Sequence, residues 1–122
     1  VGNWSGELML ERRVIFHIDE MNKWNMVLKN ADNLLNSVDG ENIKIEILAN
    51  GEAVQYYEKN MEKRYANMKA LHHRSVKFVA CNNALMSNGL AKDKLIEFVE
   101  VVPAGVLELV DKQHEGYAYI KP

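Results

Sequence analysis

Short runs of β-branched and aromatic residues alternate along this chain with longer stretches whose apolar positions recur at helical spacing. That alternation constrains the fold more than any other feature. Arg13-Val14-Ile15-Phe16-His17-Ile18 stops at Asp19 and reads as a buried strand. Met21, Trp24, Val27, Leu28, Ala31, Leu34, Leu35 and Val38 then fall on one face of an amphipathic helix, which Asp19 is placed to cap and Asp39-Gly40 to end. Ile43 to Leu48 form a second strand, stopped by Asn50-Gly51. Its alternation of apolar residues with Lys44 and Glu46 points to one looser face, nearer a sheet edge. Residues 52–74 carry an apolar stripe of Val54, Tyr57, Met61, Tyr65, Met68 and Leu71, helical as one rod or two.

A third strand runs from Val76 to Ala80 and meets Cys81, after which a helix spans about Asn83 to Asn88 with Gly89 suited to a left-handed cap. A turn near Asp93–Ile96 leads to a fourth strand, Phe98 to Val102. Pro103 sits where a first helical turn accepts proline, ahead of a helix from Ala104 to Glu115. Gly116 ends that helix, and Tyr117 to Ile120 make a fifth strand. Five strands joined by about four helical connections predict an α/β fold with a mainly parallel sheet covered on both faces. With no repeat, linker or low-complexity tract, residues 1–122 read as one domain. Residues 1–11, where Trp4, Leu8, Met9 and Leu10 follow no period, read as an extension packing on this subunit or a neighbour.

Composition narrows the function. Fifteen Lys and Arg against seventeen Asp and Glu, with no basic block, argue against nucleic acid as a partner. No apolar run approaches the roughly 20 residues that span a bilayer, and the first residues lack the pattern of a signal peptide. The single cysteine rules out an internal disulfide framework and a zinc knuckle, so a reducing, cytoplasmic setting is expected. There is no G-x-G-x-x-G, no P-loop and no serine elbow, which leaves no motif for a nucleotide cofactor. No histidine pair has a metal-ligand spacing with carboxylates on a common face. The large apolar supply of Trp24, Tyr57, Met61, Tyr65 and Met68 favours a homo-oligomer.

In a parallel sheet, ligands bind beyond the carboxyl ends of the strands. Those ends gather His17, Asp19, Asn50, Gly51, Cys81, Asn82, Pro103, Ala104 and Gly105 on one rim. Helix starts after Cys81 and Pro103 favour an anion between them. Cys81 is the sharpest candidate, because a thiol beside a helix N-terminus ionises more readily than an ordinary one and the thiolate is the reactive form. The plainer alternative is that Cys81 fills space as a buried cysteine. His17 is either an acid–base or anion-binding group or a histidine satisfied by a backbone carbonyl. Asn82 and Asn83 are most simply a helix cap, with a role for Asn82 in orienting a sulfur-borne group as the alternative. Gly105 permits close backbone approach. His72, His73 and His114 sit near helix ends, where cations complement the dipole.

The runs Phe78-Val79-Ala80-Cys81-Asn82-Asn83-Ala84-Leu85, Val101-Val102-Pro103-Ala104-Gly105-Val106 and Gly116-Tyr117-Ala118-Tyr119-Ile120-Lys121-Pro122 resemble the DsrE/DsrF-like, or YchN-like, proteins. So do His17-Ile18-Asp19-Glu20 with Trp24, and Asn50-Gly51-Glu52-Ala53-Val54, so that the likeness extends from residue 12 onward. The resemblance implies a three-layer α/β/α sandwich assembling as trimers or hexamers. In its sulfur-handling members the cysteine matched by Cys81 carries sulfur as a persulfide between partner proteins, in tRNA thiolation relays or dissimilatory sulfur oxidation. The chain looks closer to the small homo-oligomeric relatives without an established activity.

Two functions follow. In one, Cys81 accepts sulfur from a donor protein and passes it to an acceptor protein. With no second cysteine, that transfer is intermolecular. In the other, the chain is a binding or assembly module whose rim holds a small anion and whose cysteine is inert. A redox sensor forming sulfenic acid at Cys81 is a third option. The carrier reading expects Cys81 to stand open to solvent or to an adjoining protomer.

Overall fold

The computed structural model describes residues 11–38, 42–60 and 62–122. The proposed extension before residue 11, the Asp39-Gly40 stop and Met61 lie outside the described residues. Strands β1 (Arg12–Ile18), β2 (Ile43–Ala49), β3 (Val76–Cys81), β4 (Glu100–Val102) and β5 (Ala118–Ile120) form one sheet in the order β4-β3-β2-β1-β5. All pairings are parallel. Helices α1 (Trp24–Ser37), α2 (Glu62–His73), α3 (Asn82–Ser87) and α4 (Gly105–His114) connect them. The alternation read from the sequence therefore becomes a parallel α/β fold, with α4 carrying the chain from one edge strand to the other.

Strand parity divides the core into two parts. Val14, Phe16 and Ile18 of β1, Ile45, Ile47 and Ala49 of β2, and Val76, Phe78 and Ala80 of β3 face one side. They pack there against Trp24, Val27, Leu28, Ala31 and Leu35 of α1 and Met68 and Leu71 of α2. Ile15, Leu48 and Val79 face the other side, where Leu109 of α4 closes a small cluster bordered by Val102 and Tyr117. The sandwich is thus lopsided: one layer is thick, and among the described residues one ten-residue helix makes the other.

Several local expectations change. The stretch after β2 is two pieces, a 3-10 helix over Gly51–Tyr57 and then α2. Tyr57 explains the break, since its hydroxyl donates within 3.1 Å of both the Ile47 and Val79 carbonyls and anchors this segment to two strands. Trp24 seals the same region, stacked on Tyr56 at 4.4 Å and donating from Nε1 to the Ala53 carbonyl at 3.0 Å. A 3-10 turn over Met21–Lys23 precedes α1, whose cap residue is Lys23, so Asp19 does not cap it. Asp19 instead pairs with Lys121 at 2.9 Å beyond the end of β5. Strand β2 is central rather than near an edge. Its polar Glu46 is 1% exposed under α4, which is why alternation there does not mean solvent. Helix α4 starts at Gly105 with Ala104 as cap, which leaves Pro103 just outside it.

Candidate functional site

Parallel pairing brings the expected residues to one edge. Ile18 pairs with Ala49 and Ala49 with Ala80, so Asp19, Asn50 and Cys81 leave the sheet side by side. Cys81 closes β3 opposite Val102 of β4, and Gly105 enters α4 just after that strand. A Cβ built on Gly105 would lie 3.2 Å from the Cys81 Cβ, 3.5 Å from the Asn50 Cβ and 3.6 Å from Asn50 Nδ2. Three chain segments therefore pack closely here, and the missing side chain of Gly105 is what lets α4 come so near Cys81 and Asn50.

On the other side of Asn50, His17 Nε2 lies 3.0 Å from Asn50 Oδ1, and His17 Nδ1 lies 2.7 Å from the Tyr119 hydroxyl. Of the two local readings of His17, the satisfied histidine is right in kind but not in partner: its ring bonds to side chains on both sides. Tyr119 was not among the residues expected at the rim. It reaches His17 because β5 lies beside β1, with Tyr119 paired to Ile15 on the same face. The Asp19–Lys121 pair lies just past this point and holds the end of β5 down. The Lys121 ammonium bonded to Asp19 keeps that carboxyl below its usual range, and Asp19 in turn raises Lys121.

The remaining rim residues are less engaged. Cys81 itself is the cap residue of α3, and no side chain caps that helix, so the expected Asn82–Asn83 cap is not formed. Asn82 opens the helix and turns its amide along it, donating to Met86 Sδ at 3.5 Å. Pro103 is exposed and Ala104 half-buried, framing the turn into Gly105. The α3 helix is only six residues long, so its dipole is short.

Cys81 does not stand open to solvent within this chain, as one form of the carrier reading expects: the residue is 6% exposed. The cause is the turn into α4, which brings Gly105 against it. Cys81 belongs to the larger apolar cluster, and Asn50 is the polar side chain that approaches Gly105 beside it. His72 and His73 do close α2, with His72 stacked on Phe98 at 4.3 Å, away from this rim. No three His, Cys, Asp or Glu side chains among the described residues come together to hold a metal ion. No helix among them is long and apolar enough to cross a membrane.

Known proteins share this fold. A solved protein of unknown function, MTH1491 from Methanobacterium thermoautotrophicum, is 35% identical over 92% of this chain and all of its own, with a TM-score of 0.83. The ychN protein from E. coli is 15% identical, with a TM-score of 0.75 over 93% of this chain and all of its own. A conserved protein of unknown function, BT1422 from Bacteroides thetaiotaomicron, is 16% identical, with a TM-score of 0.71 over 90% of this chain and 94% of its own. The latter two speak for the fold alone. No curated protein matches the chain. The sequence profile of the DsrE/DsrF-like family matches residues 13–122, from β1 to the last residue. The chain belongs to the DsrE/DsrF-like family.

Proposed function

We propose that the protein is a sulfur carrier, holding sulfur as a persulfide on Cys81 between a donor and an acceptor protein. The supporting observation is the company that the thiol keeps. Cys81 ends β3 where Gly105 packs closely, and the Asn50 side chain approaches the same glycine. The Cys81 thiolate attacks the outer sulfur of a donor persulfide, R–S–SH. A new S–S bond forms, the donor S–S bond breaks, and the donor leaves as thiolate, with no net oxidation. The product Cys81–S–SH is discharged in the same way by an acceptor thiolate. The 6% exposure of Cys81 favours the other reading, an assembly module with an inert cysteine. Mass spectrometry after incubation with a cysteine desulfurase and cysteine separates the two. The carrier gains one sulfur atom at Cys81, and the Cys81→Ser variant gains none; an unmodified wild-type chain sinks the carrier reading.

The carrier is further proposed to act as a homo-oligomer, a trimer or hexamer. Val106, Leu107 and Val110 on α4 are 68%, 55% and 46% exposed, and Met86 on α3 is 70% exposed. Apolar side chains in such number on α3 and α4 suit burial against another copy.

A further inference from the structure

The hydrogen bonds around His17 fix more than the ring. An amide oxygen only accepts, so a His17 Nε2 bonded to Asn50 Oδ1 must carry the proton. In the neutral ring Nδ1 then accepts, and the Tyr119 hydroxyl supplies the hydrogen. Asn50 has its oxygen committed to His17, and its Nδ2 lies on the side where Gly105 packs, 3.6 Å from where a Gly105 Cβ would stand, as the Cys81 Cβ lies 3.2 Å from the same point. We propose that Tyr119, His17 and Asn50 form a positioning chain that holds the Asn50 amide nitrogen on the Cys81 side, where it donates a hydrogen bond to an anionic sulfur. The proposal rests on the carrier reading for its purpose, since a thiolate or persulfide anion is what such a donor would stabilise. Its geometry stands apart from any donor or acceptor protein. Tyr119 and His17 are positioning residues in this proposal, and Asn50 is the donor that meets the charged sulfur once it forms.

The opposite arrangement is equally well defined. If Asn50 were turned over, its nitrogen would donate to a His17 Nε2 without a proton, Nδ1–H would donate to Tyr119, and the amide oxygen would repel an anion at Cys81. Imidazole nitrogen shifts in the 15N-labelled native protein distinguish the two without any mutation. The Nε2–H form is expected, and the Nδ1–H form overturns the proposal. Iodoacetamide alkylation of Cys81 at neutral pH is the second readout. A hydrogen bond to a charged group, with part of its effect lost to lower nucleophilicity, gives Asn50→Ala a slowing of about 3- to 10-fold. Asn50→Asp, of nearly the same shape, slows it further by placing a carboxylate on the Cys81 side.

Tyr119→Phe slows alkylation less in the wild-type background and by no more than about 1.5-fold when Asn50 is already alanine, because partners in one chain do not act additively. Equal effects of Tyr119→Phe in both backgrounds, or wild-type rates for Asn50→Asp, also overturn the proposal. A protein that shows the expected tautomer and coupling but never acquires the extra sulfur would sink the carrier reading and leave the positioning chain standing.

Discussion

Glu46 lies against Glu108, a sheet carboxyl facing a helix carboxyl beneath the single helix that covers the thinner side. Glu46 is 1% exposed, and neither of its oxygens has a hydrogen-bond partner among the described residues. Burial pushes its pKa up to about 8, with Glu108 as the second cause, while Lys77 and Lys112 pull the other way. Two close carboxyls cannot both ionise cheaply, so the pair keeps a proton near neutral pH.

That proton makes stability depend on pH. The unfolded chain releases it near 4.5 and the folded chain near 8. Between those values the folded state binds more protons, so stability falls as pH rises through the window and levels off above it. Glu46→Gln stays neutral throughout and loses this slope. Its melting temperature is expected to match wild type to within about 2 °C at pH 5 and to exceed it by roughly 4 °C or more at pH 9. Parallel curves for the two proteins across that range would show that the burial of Glu46 costs nothing.

Tyr57 is expected to matter beyond its size. Its ring is fully buried, in edge contact with Trp24 at 5.2 Å and Phe78 at 6.2 Å. Its hydroxyl serves carbonyls on β2 and β3, and burial holds it far above the usual phenol range. Tyr57→Phe removes only the oxygen and leaves a buried gap facing two carbonyls. The expected loss is about 1–3 kcal/mol in urea unfolding, with the slope against urea unchanged. Trp24→Ala, which empties a larger space and frees the Ala53 carbonyl, is expected to cost about 3–5 kcal/mol.

Much of this core was legible beforehand, and the exceptions share a cause. The β1 run and the α1 stripe describe elements whose two sides differ sharply, so periodicity finds them. Asn50-Gly51 marked a turn correctly, since Gly51 sits at a φ of 55°, where a Cβ would lie 3.2 Å from the Asp19 carbonyl oxygen. Glu46 misled because a polar residue under a helix has the same pattern as one in water. Tyr119 escaped notice because its meeting with His17 depends on β5 crossing to the far side of β1. Nothing local to residues 117–120 encodes that crossing. The burial of Cys81 was equally hidden, set by how closely Gly105 follows β4.

Gly105 offers a direct test of this close packing. As the first residue of α4 it lies outside the left-handed region that favours glycine, so alanine suits the backbone and would by propensity add about 1 kcal/mol. The new methyl group would meet the Cys81 Cβ at 3.2 Å and the Asn50 Cβ at 3.5 Å, contacts that crowd both side chains and offset the gain. Gly105→Ala is therefore expected to fold with little net change in stability, within about 1 kcal/mol, while alkylation of Cys81 slows about 5-fold or more. Unchanged alkylation in a folded variant would mean that reagents reach the sulfur by another route.

The exposed residues of α4 give the last prediction. Val106 and Val110 are four residues apart and share one helical face, with Leu107 beside them. Their side chains are largely free of this chain's own core, where Leu109 alone from this helix is buried in the apolar cluster. A charge at Val110 therefore does little to the isolated fold but opposes burial against a second copy. Light scattering at micromolar concentration is expected to give a trimeric or hexameric mass for wild type and a smaller one for Val110→Lys. A monomeric wild type would overturn the assembly, and a variant that unfolds would show that α4 depends on Val110 within its own chain. Because α4 also carries Gly105 against Cys81, an assembly that grips this helix would set how readily the thiol opens. The charged variant is then expected to alkylate about 2-fold faster or more as well as to dissociate, coupling assembly to access at the sulfur.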